Sequence, residues 1–323
     1  MKLKIKKYLP LAGIAIFIYL LFKINILNVF SEIEKADLTL LFIAILLTFV
    51  YEIFQTLKWF LIARKQKISV SFLEAFKINF MTNFYGFVTP SKIGTIIRAD
   101  YLKKYTKNIG KGISNFTIDK LLDLTSLFVL VVFFILVFRN KFNFIPLNYV
   151  FFFGFVLLTL FLVFYNKERS KFLLRIVYRK FVPKRMQEKA KLTFESFYED
   201  LPTKKFLFLV FLVNLIDWII IYLVNYFVGL SLGINLDLMY FLAILPIATL
   251  IAQIPITING LGTREATMIY LFGLFGIEAA KVFSMSILVL LISGVLPSII
   301  GSFLTFKNKD SSNGEAKHNN TGI

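Results

Sequence analysis

Few residues in this chain can do chemistry, and most of them sit where an apolar sequence should not hold them. The stretch "QIPITINGLGTREATMIYLFG", residues 253–273, sets Arg264 beside Glu265 just after a turn broken by Pro255, Asn259, Gly260 and Gly262. A charged side chain at bilayer depth costs roughly 2.5–3.5 kcal/mol on insertion scales, so two adjacent ones imply partners or water. Neighbouring helix positions point about 100° apart, and the pair is therefore expected not to neutralise itself face to face. Thr263 is placed to cap a helix whose first turn holds both charges. Glutamate in a first turn is also favoured by the helix dipole, so a purely structural ion-pair network competes with a binding role. Broken backbone at membrane depth is tolerated only where it is buried in protein or lines a wet cavity, the arrangement found in transporter binding sites.

A second stretch, "NFYGFVTPSKIGTIIRADYL" at residues 83–102, repeats the grammar. Asn83 and Pro90 precede Gly94-Thr95, and Arg98 comes after them. Two broken segments of this kind, entering from opposite faces, fit an inverted repeat. The helix starts at Thr95 and Thr263 would then present backbone N–H groups to a lipid phosphate, with Arg98 and Arg264 adding charge.

Other polar residues interrupt the apolar runs. Asp119 and Asp123 lie at i, i+4 beside Lys120, a spacing that calls for solvation or shared cations. Asp217, with Asn214 one turn earlier and Asn225 beyond, is placed deeper; a buried salt bridge and a place on a transport path are both open to it. Glu52, Gln55 and Lys58 form another stripe, for which a snorkelling Lys58 is the simplest expectation.

Several chemistries are excluded. There is no cysteine, and the single histidine, His318, lies in a polar tail. Thiolate metal sites, cysteine nucleophiles and histidine-based triads or relays therefore have no residues in the apolar body. No GxxxxGK[ST] loop is present. Neither metal nor cofactor is expected.

The elements that must position these residues are membrane spans. The 323 residues are 58% hydrophobic, above the ~45–50% of soluble domains. Runs of the ~20 residues needed to cross a bilayer lie near 8–27, 38–61, 113–138, 144–165, 206–232 and 279–306, and two further runs, 72–98 and 236–275, are interrupted. The expected fold is an all-α polytopic membrane protein with about six full transmembrane helices and two broken or re-entrant hairpins. An eight-span version, in which residues 236–255 cross fully, stays open. The first run comes after a basic segment and has no small-residue cleavage box behind it, so it is expected as an uncleaved span.

The net charge is +18. Because Lys and Arg cluster in short loops beside the spans, the charge reads as topology and as attraction to anionic lipid, not as a nucleic-acid surface. It predicts a multi-pass cell-membrane protein with both termini cytoplasmic and residues 23–37 and 139–143 outside. Residues 1–306 form the membrane domain. Within them the 166–203 insertion, with Phe172, Leu173, Ile176, Val177 and Phe181 recurring among basic residues, reads as an amphipathic helix on the inner face. Residues 307–323 are polar and expected to be disordered.

The Pro–Gly turn with its downstream Arg98, together with the Pro255 to Ala266 run, resembles the flippase-like transmembrane region of lysylphosphatidylglycerol synthases and its stand-alone relatives. The resemblance covers the membrane body and is most specific in the second motif. It implies a region that moves a phospholipid or lipid-linked product between leaflets, without the soluble aminoacyl-transfer domain of the synthases. It also leads one to expect an acidic residue after Gly94, where Thr95 stands.

These observations converge on a translocase for an anionic or phosphate-bearing lipid headgroup. Glu265 would orient Arg264 or meet a cationic headgroup, and exchange would be passive or coupled to an ion gradient through Asp217 and Glu265. Two alternatives remain: a membrane-embedded transferase for polyprenyl-phosphate sugars, built on Asp119 and Asp123, and a non-catalytic membrane partner of a glycosyltransferase or lipid synthase.

Overall fold

The computed structural model describes residues 16–20, 22–24, 26–89, 92–106, 109–140, 142, 147–172, 187–253 and 260–319. Among them there is no strand. The helices are α1 (Ile26–Glu34), α2 (Leu38–Lys65), α3 (Phe72–Phe87), α4 (Arg98–Leu102), α5 (Ile109–Val137), α6 (Leu147–Tyr165), α7 (Gln187–Tyr198), α8 (Lys204–Ser231), α9 (Leu238–Ala252), α10 (Thr263–Gly273), α11 (Ala279–Leu290) and α12 (Leu296–Asn319). A π-helical turn, Leu291–Val295, joins α11 to α12. The chain divides into two compact units. The first comprises residues 1–53, 73–97 and 219–323, and the second residues 54–72 and 98–218.

Four stretches are long and apolar enough to cross a membrane: Leu38–Lys65, Ile109–Val137, Lys204–Ser231 and Ala279–Lys307. They match four of the expected spans. The bent pair Ile16–Ile24 and Ile26–Glu34 makes a fifth if it is one span, and α6 includes a shorter apolar helix, Gly154–Tyr165. Aspartates start two helices. Asp37 Oδ1 accepts from the N–H groups of Thr39 and Leu40 ahead of α2, and Asp237 Oδ1 accepts from that of Met239 ahead of α9. A short side-chain acceptor is what an uncapped first turn lacks.

In the first unit, the segment expected to lie outside, residues 23–37, is largely helical. Ile16–Ile24 and Ile26–Glu34 are helical pieces bent by 76°. Val29, buried among exposed Ile26, Leu27 and Phe30, gives α1 one inward face. That face packs on α11, where the Ser284 hydroxyl donates to the Val29 carbonyl at 3.2 Å. Burial of one apolar edge outweighs the modest propensity of a nine-residue helix.

The two interrupted segments take different forms. The α9–α10 segment is a helical hairpin: Tyr240 meets Phe275 at 4.7 Å and Phe241 meets Phe272 at 5.0 Å between ring centroids. At its other end, a Cβ on Gly260 would stand 2.6 Å from that of Ala252. Its limbs hold 15 and 11 residues, about 22 and 16 Å, and neither crosses ~30 Å of hydrocarbon. The lengths of the described limbs fit the re-entrant form better than a full crossing by residues 236–255.

In the other segment, α3 ends at Phe87 and the chain continues as a 3-10 turn, Ile93–Ile97. Thr89 fixes this turn by accepting from the Gly94 N–H at 2.7 Å and donating to the Tyr85 carbonyl at 2.9 Å. The run Ile93, Thr95, Ile96, Ile97 is β-branched and interrupted by glycine, a poor composition for a second long limb. The two segments are thus not copies of one motif in their local structure.

In the second unit, Ile62, Leu122, Leu207 and Val210 form an apolar core joining α2, α5 and α8. Gly110 lets α7 approach α5: a Cβ there would collide with the Thr193 carbonyl oxygen. The described end of the 166–203 insertion therefore packs on protein. Leu173, Ile176, Val177 and Phe181 lie outside the described residues. Beyond the membrane body, α12 is drawn on as far as Asn319.

Candidate functional site

In the first unit the Arg264–Glu265 pair is held by its surroundings. Gly262, at φ +85°, is the N-cap of α10. A left-handed residue is needed there, and glycine adopts it without a Cβ penalty. Thr263 is consequently not the cap. It is the first helical residue, and its hydroxyl donates back to the Gly260 carbonyl at 3.2 Å.

Glu265 is buried and fully engaged. Its Oε2 accepts from the Gly262 N–H, and its Oε1 accepts from the Ser286 hydroxyl on α11 at 2.7 Å. Arg264 donates to the same Oε1 through Nε at 3.2 Å and Nη2 at 3.0 Å, and Nη2 also reaches the Ser286 hydroxyl oxygen at 3.0 Å. The pair therefore does neutralise itself, against the expectation from helix geometry. Cβ directions diverge at i, i+1, but the long arginine side chain folds around its neighbour.

The Glu265 side chain is 1% exposed and that of Arg264 is 22% exposed. The carboxylate thus clips the hairpin start to α11 and aims a guanidinium that keeps an accessible side.

Several of the backbone amides expected to meet a phosphate have acceptors within the protein. The N–H groups of Gly262, Arg264 and Ala266 donate to Glu265, Gly260 and Gly262 respectively. Those of Gly94 and Thr95 donate to Thr89 and Lys92, and the Thr95 hydroxyl also donates to the Lys92 carbonyl. Pro90, Pro255 and Asn259 lie outside the described residues. Asn83 belongs to a further buried group, in which Asn83 and Asn79 donate to Glu52 Oε2 at 2.8 and 2.7 Å.

The second unit holds a larger ionic network. Lys58 is fully buried and donates to Asp123 Oδ1 at 2.7 Å and Asp217 Oδ2 at 3.0 Å. Gln55, one turn back on α2, donates to the same Asp217 oxygen at 2.9 Å. Lys120 approaches Asp123 Oδ2 at 3.3 Å, and the Trp218 indole donates to the Asp123 carbonyl at 3.2 Å. Arg98 pairs with Asp119 at 2.7 Å and is stacked 5.0 Å from the Trp59 ring and 5.5 Å from Phe116.

This arrangement corrects three expectations. Lys58 does not snorkel, because two aspartates on α5 and α8 offer closer partners than the interface. Asp119 and Asp123 are buried and paired with cations, so the acidic pair that a transferase would use is engaged. Arg98 is not a loose phosphate ligand, since Asp119 and two aromatic faces fix it. Three cations, Lys58, Arg98 and Lys120, thus face three carboxylates.

Sequence reasoning missed Ser286, Asn79 and Trp59 as partners. Serine, asparagine and tryptophan in a span carry no charge signal, and only the fold brings them to the charges they serve.

Comparison with known proteins agrees with this architecture. A UPF0104 membrane protein of Pyrococcus horikoshii is 25% identical over 327 aligned positions, covering 94% of this chain and 98% of the relative. A UPF0104 membrane protein of Methanocaldococcus jannaschii is 29% identical over 227 positions, covering 69% of this chain and 93% of the relative. Residues 10–301 match the family described as the lysylphosphatidylglycerol synthase TM region, and the chain belongs to that family.

Proposed function

We propose that this protein moves the headgroup of a phosphate-bearing membrane lipid between leaflets, with Arg264 as its contact to the phosphate. The observation that carries the reading is a guanidinium at the broken start of a re-entrant hairpin, oriented by a buried carboxylate and a serine and left 22% exposed. A planar fork suits phosphate oxygens. The lipid tails remain in the bilayer while the headgroup passes. Membership of a family named for a lipid synthase's membrane region supports a lipid substrate.

The test is leaflet exchange of a fluorescent phosphatidylglycerol in proteoliposomes, read beside thermal stability in detergent. Arg264→Gln removes the charge and is expected to stop exchange while the protein stays folded. Arg264→Lys keeps part of it, since an ammonium lacks the fork. Normal exchange by a stable Arg264→Gln protein overturns the phosphate role. Loss of folded protein, recovered by adding Glu265→Gln, identifies the pair as structural instead.

A further inference from the structure

Buried polar side chains line three helices of the second unit. On α5 they run from Ser114 through Asn115, Asp119 and Asp123 to Ser126, all buried, a distance of about 18 Å along the helix. On α2 and the turn that follows it they are half-buried Gln55, Lys58 and Gln66, and on α8 they are Asn214 and Asp217. Cross-links join them at both ends: Gln66 donates to the Ser114 hydroxyl oxygen at 3.0 Å, and Lys58 spans Asp123 and Asp217.

Hydrogen-bond supply does not match demand along this stripe. Five buried oxygens, Gln66 Oε1, Asn115 Oδ1, Asp119 Oδ1, Asn214 Oδ1 and Asp217 Oδ1, accept nothing, while one buried nitrogen, Arg98 Nε, has no acceptor. Buried acceptors without donors are costly, and the surplus is of the sign that hydrogens relieve.

We infer that Asp217 is a proton-binding site, reached along this buried polar stripe, and that its protonation drives or gates the lipid movement proposed above. This rests on that reading of the protein as a lipid translocase.

The choice of Asp217 rests on its partners. Asp123 has a cation on each oxygen, Lys58 on Oδ1 and Lys120 on Oδ2. Asp119 faces Arg98, whose guanidinium donates to its Oδ2 at 2.7 Å. Asp217 receives Gln55 and Lys58 on a single oxygen, Oδ2, and its Oδ1 is bare. A proton from water adds to Oδ1 and gives a neutral carboxylic acid. Lys58 remains an ammonium and keeps Asp123, so the pairing between α2 and α5 survives while that between α2 and α8 weakens. Glu265, by contrast, has a hydrogen-bond donor on each oxygen.

The experiment uses the full chain in proteoliposomes containing phosphatidylglycerol. Infrared titration of the wild type is expected to show, apart from the bands of the solvated carboxyls, a carboxylic-acid band of a buried group that appears as pH falls, is lost in Asp217→Asn and is shifted in Asp217→Glu. Exchange of fluorescent phosphatidylglycerol is expected to respond to an imposed pH gradient in the wild type and to lose that response in Asp217→Asn. The wild-type titration needs no variant to fold, and Asp217→Glu guards against an unstable asparagine variant. Absence of a titrating carboxyl in the wild type, or an unchanged band in folded Asp217→Asn, overturns the proton site. Exchange indifferent to the gradient overturns the coupling and leaves lipid translocation standing. A titrating Asp217 in a protein that exchanges no lipid supports the proton site and overturns the translocase reading.

Discussion

Lys58 shows how a single side chain can carry the packing of three helices. Its ammonium lies between Asp123 on α5 and Asp217 on α8, with no solvent to share the charge. Removing one member of a buried ionic group leaves the others uncompensated, at about 3–5 kcal/mol. Lys58→Met is therefore expected to lower the yield of folded protein and its thermal midpoint sharply. Replacing the group together, as Lys58→Met with Asp123→Asn and Asp217→Asn, should recover most of the loss, because neutral groups carry a smaller desolvation cost. Melting of the purified variants in detergent checks this, and a single Lys58→Met variant as stable as wild type would rule out the clamp. The sequence made the charges visible but not their pairing. Glu52 and Lys58 are six residues apart and read as one stripe, yet Glu52 serves Asn79 and Asn83 while Lys58 serves two aspartates more than sixty residues away.

Whole elements were more legible than pairings. Length and apolarity marked α2, α5, α8 and the α11–α12 stretch, because a bilayer imposes ~20 apolar residues on any helix that crosses it. Local interruptions were legible too, since Pro and Gly are the residues that break a ladder. The form of the limb beyond each break was not legible, because it depends on contacts made after folding: that limb is a helix in α10 and a 3-10 turn at Ile93–Ile97.

The hairpin yields a test of backbone fit. Gly262→Leu places a branched side chain at φ +85°, a conformation costly for any L-residue with a Cβ, and is expected to displace Arg264 and abolish exchange. Gly273→Leu sits at the far end of α10, where an added Cβ meets nothing within 4 Å, and should preserve exchange. Equal activity of the two variants at matched membrane levels would refute the strained start. Packing between elements gives a parallel case. A Cβ on Gly301 of α12 would run into the Phe80 carbonyl of α3, so even Gly301→Ala must move a backbone and should destabilise the fold measurably in the same detergent assay.

At the scale of the whole molecule, charge placement decides which side of the bilayer each loop faces. The loop between α7 and α8 carries Asp200, which bonds Lys111 at 2.9 Å and Lys67 at 2.6 Å. Hydrogen bonds from Lys111 first and Lys67 second hold the Asp200 carboxyl below its ordinary range. A carboxyl whose folded value is depressed stabilises the fold above its unfolded value, near 3.9, and that contribution disappears as pH falls through the folded value. Acidification below pH about 4 should therefore loosen this loop, and Asp200→Asn should blunt that part of the acid response. Both partners are partly solvated, so the effect belongs with surface pairs of at most about 1 kcal/mol. Limited proteolysis across residues 199–203 at falling pH reads it, and identical acid sensitivity in both proteins would refute it.

Lys67 and Lys111 are among the basic residues in or beside short loops, which favour the cytoplasmic side, and we propose that the Asp200 loop and both chain ends lie there. The sequence contains no cysteine, so introduced thiols report without background. Ser170 is buried and would be silent for steric reasons, whereas Glu168 is exposed and suits the test. Glu168→Cys in intact cells is expected to resist an impermeant thiol reagent and to react once the membrane is opened. Labelling of Glu168→Cys from outside would invert the topology. The proton acceptor at Asp217 would then face the opposite gradient, and the direction of lipid movement proposed to depend on it would reverse as well.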